Sequence, residues 1–148
     1  MVGPFPAESV MQRLKATVPL AKIIGNAADL DTALQAQPNT SPALYVVIEE
    51  RGSPPKYTGN VVIQNMDVMV KVITLVRNAS GERLGTGARK AADDVIAETR
   101  NGLIGWTPAD AFNALYFVAG RDDRFHGSWL TSQQIFRTDY RIQKQATP

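Results

Sequence analysis

Cysteine is missing from all 148 residues, which excludes disulfides and thiolate metal sites and leaves redox chemistry silent about compartment. Histidine occurs once, as His126. Long apolar runs are also missing: Asp, Lys or Arg interrupts every candidate, so no membrane span is expected. The opening Met1-Val2-Gly3-Pro4-Phe5-Pro6-Ala7-Glu8 has neither a basic nor an apolar leader region. A signal peptide is therefore not expected, and the chain reads as a soluble protein made in a cytoplasm. No repeat, low-complexity block or basic stripe is found. The 16 Lys and Arg against 14 Asp and Glu give a net charge of +2, despite a pI near 9.0. Sequence-specific nucleic-acid binding is disfavoured on that ground.

What is present is ordinary globular material, 44% hydrophobic and 20% charged. That suffices for one domain with its own core and is short for two. Pro6 suits a helix start. Val10, Met11, Leu14 and Val18 then recur at helical spacing until Pro19. Leu20–Ile24 predicts a brief strand and Ala28–Ala36 a short helix. Ala43–Glu50 is a strand by composition and boundaries. Arg51–Asn60, with two prolines and two glycines, is a polar arm outside the core. In Met66–Arg77 the residues Met66, Val68, Val70, Val72, Thr74 and Val76 alternate with a wetter set. Val61–Arg77 spans 17 residues, against about 5–6 for an ordinary strand, so a break or bulge is expected near Gln64-Asn65. Val61–Gln64 would then belong to the projecting arm.

Ala88–Arg100 is the strongest helix, with an inner stripe of Ala88, Ala91, Ala92, Val95, Ile96 and Thr99. Asn101-Gly102 reads as its end signal. The joint Leu103-Ile104-Gly105-Trp106-Thr107-Pro108 leads into a hairpin with strands near Leu115–Arg121 and Ser128–Gln143. Leu130, Ser132, Gln134, Phe136, Thr138, Tyr140 and Ile142 share one face of the second. The fold class expected is α+β: a single domain, an antiparallel or mixed sheet packed by two to three helices, a projecting β-arm and a C-terminal β-hairpin. The ends, about 1–5 and 144–148, are expected to be loose.

Chemistry is hard to find. His126 has only Asp122 and Asp123 near it in sequence, on a loop, and reads as a solvated hairpin tip rather than a metal site. Gly81, Gly85 and Gly87 precede a helix but match neither the Walker nor the Rossmann spacing. No serine lies in a Gly-x-Ser-x-Gly elbow. The carboxylate pairs Glu49-Glu50, Asp93-Asp94 and Asp122-Asp123 are sequence neighbours whose side chains diverge, and they read as solvated. No catalytic, cofactor or metal residues are assigned, and no enzyme is expected. Protein contact is the better fit. The arm carries Arg51, Lys56 and Tyr57, and the hairpin tip carries Arg121, Arg124 and Phe125. Trp106 and Trp129 stand at element ends, where core packing and an interface are both open.

The ordered series of motifs resembles the tail terminator proteins of long-tailed bacteriophages, the λ tail terminator among them. It runs from Val18-Pro19-Leu20 and Ile24-Gly25-Asn26-Ala27-Ala28-Asp29-Leu30 through Pro42-Ala43-Leu44-Tyr45-Val46-Val47 and the Thr58-Gly59 arm. It continues in Arg77-Asn78-Ala79, Gly105-Trp106-Thr107-Pro108, Gly120-Arg121, Trp129, Phe136 and Thr138-Asp139-Tyr140. It covers Val10–Ile142. The strand departs from the family look at Leu130–Gln134, where an acidic residue is expected soon after the tryptophan. The resemblance implies a homohexameric ring on the head-proximal end of the tail tube, which stops tube-protein addition and joins the neck. Its partners would be further copies of itself, the major tail tube protein and a head-tail connector. DNA would cross the lumen without sequence contact, and the location would be the virion, after assembly in the host cytoplasm. A connector or stopper protein of the neck is an alternative, as is, more distantly, a small ligand-binding or enzymatic α+β domain.

Overall fold

Within residues 2–36, 40–77, 86–122 and 129–147, which the computed structural model describes, three helices and six strands follow one another. They are α1 (Ala7–Thr17), β1 (Ile23–Asn26), α2 (Ala27–Ala36), β2 (Ala43–Gly52), β3 (Lys56–Thr58) and β4 (Val61–Arg77), then α3 (Thr86–Leu103), β5 (Tyr116–Asp122) and β6 (Trp129–Gln145). The strands form one sheet in the order β1-β2-β4-β6-β5, with β3 paired to β4. β1 and β2 are parallel and the other pairs antiparallel, so the sheet is mixed and the α+β expectation is met.

The frame of the sheet is the β4–β6 ladder, which runs without a register shift from Val61 opposite Gln145 to Arg77 opposite Trp129. The bulge expected near Gln64-Asn65 is absent. Strand length is normally limited by the partner, and here the partner is equally long, so nothing forces a break. The irregularity lies instead in β5, where the register shifts between Phe117 and Ala119. Lys144 and Gln145, expected beyond the last strand, pair with Val62 and Val61.

Alternation along the strands sorts side chains onto two faces. One face carries Leu44, Val46, Val68, Val70, Val72 and Phe136, covered by Val10, Leu14 and Val18 of the first helical segment and Val95 and Leu103 of α3. Phe136 is fully buried among them. Among the described residues the other face is covered toward β1, where Leu30 and Ala33 of α2 meet Tyr45, Leu75 and Trp129. A third cluster lies under the start of α3, with Ala88, Ala92 and Ile96 on Val76 and Leu130. The inner stripe read from the sequence is thus the packed side of α3.

Asn101-Gly102 does not end that helix. α3 continues one residue past it, to Leu103, and Gly102 is where α1 and α3 touch: a β-carbon there would collide with the Thr17 side chain. The terminating glycine is Gly105, with φ +82, in the left-handed conformation usual just past a helix. The Gly105 N–H donates to Leu115 O at 2.8 Å and the Leu115 N–H to Trp106 O at 2.9 Å. Those two bonds close the loop that returns the chain to β5. The brief strand expected at Leu20–Ile24 sits slightly later, at Ile23–Asn26. The N-terminal segment expected to be loose carries Phe5, which is buried edge-on against Phe112 with ring centroids 5.3 Å apart.

Candidate interaction surfaces

The arm is an extension of the sheet. Past the end of β2, the Ser53 N–H donates to Asn65 O at 2.8 Å and Gln64 Nε2 to Ser53 O at 2.8 Å. The chain then turns back as β3, placing Lys56, Tyr57 and Thr58 opposite Ile63, Val62 and Val61. Gly59, at φ +62, makes the tip turn, a conformation that costs other residues more. The Ala146 N–H donates to Asn60 O at 2.6 Å and ties the arm to the end of β6. Tyr57 is 69% exposed there. Arg51 lies at the base of the arm, beside Glu49, Asp67, Met69 and Arg137, on the face that α2 covers toward β1. That face carries the Lys71–Glu49 pair at 3.1 Å and the Arg137–Asp67 pair at 3.7 Å. Both are exposed enough to contribute little stability.

The second surface is the β5 edge. Between α3 and β5 runs a cleft of about 400 Å³ lined by Arg89, Asp93, Arg100, Arg121, Asp122 and Gln134, among others. Arg89 donates to Asp122 at 2.8 Å and lies 3.5 Å from Asp93. That hydrogen bond holds the Asp122 carboxyl below the usual carboxylate range, helped by the Ser132 hydroxyl donating to Asp122 Oδ1 at 2.9 Å and opposed by partial burial. The Arg89 guanidinium is raised in turn, chiefly by the same bond. Arg121 donates to Gln133 Oε1 at 3.3 Å. Arg100 donates through Nε and Nη2 to one atom, Gln134 Oε1, at 2.9 and 2.7 Å, and lies 4.4 Å over the Phe117 ring.

The remaining sequence candidates are distributed differently. Trp129 is 7% exposed and packs in the core cluster under α2. Trp106 is half-buried at the end of α3, with the Arg13 guanidinium 5.9 Å from its ring centre. Arg124, Phe125 and His126 lie outside the described residues. The structure therefore brings Arg51, Lys56 and Tyr57 together at and on the arm, and separates them from Arg121 at the far edge of the sheet.

The acidic pairs are not simply solvated. Glu50 accepts from the Tyr140 hydroxyl at 2.6 Å and from the Phe5 N–H at 3.3 Å, and Asp122 accepts from Arg89 and Ser132. Neither role has a local signal, because the partners come from distant strands and helices. Arg100 and Gln134 have no local signal either: Arg100 lies outside the inner stripe of its helix, and Gln134 is one member of the alternating face of β6. Gln134, a polar residue on the otherwise packed face of Leu130 and Phe136, is the available clue.

Among the described residues, no group of three or more His, Asp or Glu side chains is placed to hold a metal ion. No helix there is long and apolar enough to cross a membrane. What the described surface offers is ion pairs, exposed aromatics and two sheet edges without a paired strand. The molecule is a small α+β domain built on one mixed sheet. The profile of the phage tail terminator protein family matches residues 1–147, and the chain belongs to that family, which makes it a structural component of a virion tail. No curated protein matches it in sequence. In three dimensions it is similar to a chain of the virion of a native gene transfer agent particle, with a TM-score of 0.53 and 17% identity over 92% of this chain and 94% of that one. At that identity the likeness speaks for the fold.

Proposed function

We propose that this chain closes the head-proximal end of the tail tube as a hexameric ring, ends addition of tube protein and presents the surface that joins the neck of the filled head. The observation that carries this is the family match over residues 1–147. The architecture supports it. An open sheet stiffened by a 17-residue ladder is a rigid wall for a ring, and its arm reaches beyond β2 to touch a neighbouring ring. The similarity to a chain from a gene transfer agent virion fits a part in a particle.

The mechanism is steric. One ring face matches the last tube ring, while the opposite face lacks the shape that a free tube subunit needs. Arg51, Lys56 and Tyr57 at and on the arm make the contact with the next ring, assisted by Arg121. Trp106 and Trp129 hold the subunit in the shape that ring formation requires. DNA passes through the lumen without base contacts, and no cofactor or catalytic step enters. Assembly takes place in the host cytoplasm.

Purified chain added to headless tails made without it should bind at one end as a six-fold ring and block further growth when tube protein is supplied. Tails that continue to grow would contradict the proposal. Binding to filled heads lacking tails, and not to tails, would place the chain among the stoppers of the neck instead.

A further inference from the structure

The sheet has an open edge at each end. β5 pairs on one side only, from Tyr116 opposite Arg137 to Asp122 opposite Ser132 of β6. It reads Tyr-Phe-Val-Ala-Gly before its first charge, without lysine or proline, the residues that commonly guard a free strand edge. Tyr116 and Val118 are 54% and 44% exposed there. At the other end, β1 pairs with β2 only as far as Asn26 opposite Val46, while β2 continues to Gly52. Among the described residues, no strand pairs with the outer edge of β5 or of positions 47–52.

These two edges fit one another. β2, β4, β6 and β5 are successively antiparallel, so β5 runs opposite to β2. Copies related by rotation about an axis along the strands keep those directions, and β5 of one copy then meets β2 of the next as an antiparallel pair. The faces set the register. Gly120 opposes Gln134, and Ile48 opposes Val70, itself opposite Phe136, so Gly120 and Ile48 lie on the same face of the sheet. Setting them opposite each other puts Arg121 against Val47 and Ala119 against Glu49. With Val118 taken up in the register shift, Phe117 meets Glu50 and Tyr116 meets Arg51, and no like charges oppose each other. A slip of one residue turns the faces over. A slip of two brings Arg121 against Tyr45, which β1 already pairs, or carries Tyr116 to Ser53, whose N–H is bonded to Asn65.

We propose that β5 of one copy adds to the open edge of β2 of the next in this register, so that the sheet runs on from subunit to subunit around the ring. Main-chain hydrogen bonds join such edges, and a head-to-tail contact of this kind closes into a ring when the rotation between copies allows. Arg121 opposes Gln133, and Val47 stands level with Ile135 through Lys71. Neighbouring copies are therefore staggered by two residues, about 7 Å, and a sheet that closes on itself requires a stagger. The assignment rests on the ring reading above and adds to it the strands that join the subunits.

No native cysteine interferes with introduced thiols. Ala119 and Glu49 are both exposed, and directly opposed residues bring their β-carbons to about 4.5–5.5 Å, close to disulfide reach. Tails are assembled in cells from a chain carrying Ala119→Cys and Glu49→Cys, then mildly oxidised. A ladder of cross-linked chains ending at a closed hexamer is expected. Each single variant, and the out-of-register pair Ala119→Cys with Arg51→Cys, should remain monomeric on the gel. Val118→Lys places a guard on the free edge and is expected to remove the ring from most tails without moving the thermal transition of the isolated chain. A six-fold ring with no ladder from the in-register pair, or a full complement of rings with Val118→Lys, overturns the edge assignment while leaving the ring reading intact. Tails with no ring of the unmodified chain overturn both.

Discussion

The Tyr140 hydroxyl donates to Glu50 Oε1 at 2.6 Å across 90 residues of sequence. It joins the last strand to the second over β4, where Met66 opposes Tyr140 and Val68 opposes Glu50. The N-terminal segment lies over the same spot. Phe5 donates its N–H to the same carboxylate oxygen, and a β-carbon on Gly3 would meet the Tyr140 hydroxyl at 2.5 Å. Phe112 completes the contact, edge-on to Tyr140 with centroids 5.0 Å apart. One hydroxyl therefore helps anchor the N-terminus, β2 and β6.

Tyr140→Phe keeps the ring and removes the donor. Hydrogen bonds to charged groups contribute about 1.5–3 kcal/mol net, and the Phe5 N–H remains, so a loss of about 1–2 kcal/mol is expected. Urea denaturation of the two proteins, with the slope unchanged, measures it.

The same site predicts an alkaline transition. Burial and the Glu50 carboxylate push the Tyr140 phenol from 10.0 up to about 12. Above pH 10 an unfolded chain loses this proton while the folded one keeps it. The stabilisation is therefore complete below pH 10 and lost as pH rises through about 12. At 1.36 kcal/mol per pH unit this amounts to about 2–3 kcal/mol. Tyr45 is also raised, first by burial and then by Asp29. Tyr140→Phe should consequently flatten the stability profile above pH 10 without abolishing its slope, and a profile unchanged by the substitution would count against this account.

At the acid end the relevant group is Asp122. Its carboxyl is depressed mainly by Arg89, so its contribution is present above the ordinary value of 3.8 and lost as pH falls through the lower folded value. The Arg89 and Asp122 side chains are 40% and 50% exposed, so solvent screening keeps the effect under about 1 kcal/mol. Asp122→Ala should cost more, about 1–3 kcal/mol, because the fully buried Ser132 loses its acceptor. Asp122→Asn keeps an acceptor and is expected to fall between the two. Thermal melts at pH 7 and pH 3 separate the cases.

Gly102→Ala distinguishes helix propensity from packing. Propensity alone would stabilise the helix by about 1 kcal/mol. The added methyl collides with Thr17, whose β-carbon it would approach to 2.8 Å, and overpacking typically costs about 1–3 kcal/mol. Destabilisation is expected, with part of it recovered in the Gly102→Ala, Thr17→Ala double variant. A double-mutant cycle reads the coupling.

Much of the fold was legible in local patterns. Val68, Val70 and Val72 announced one face of β4, Phe136 and its alternate neighbours announced β6, and Ala88 to Thr99 announced the packed side of α3. What escaped depends on contacts between distant segments. The unbroken length of β4 follows from the equal length of β6. Gly102 has the look of a terminator, yet it marks a helix crossing set by Thr17, 85 positions earlier in the chain. Tyr140 and Glu50 find one another only after three strands have aligned. The arm was legible in outline: Lys56 and Tyr57 lie on β3, and Arg51 stands at its base in β2. Arg100 had no local signal, because Gln134 and Phe117, which fix it, come from β6 and β5.

The central claim is that this chain stops the tail tube. Its gene is deleted in the source phage, and the length distribution of tails is measured by negative-stain imaging, with and without the chain supplied in trans. Overlong tails without heads, restored to one length by the supplied chain, are the predicted result. Tails of normal, uniform length in its absence would contradict the account.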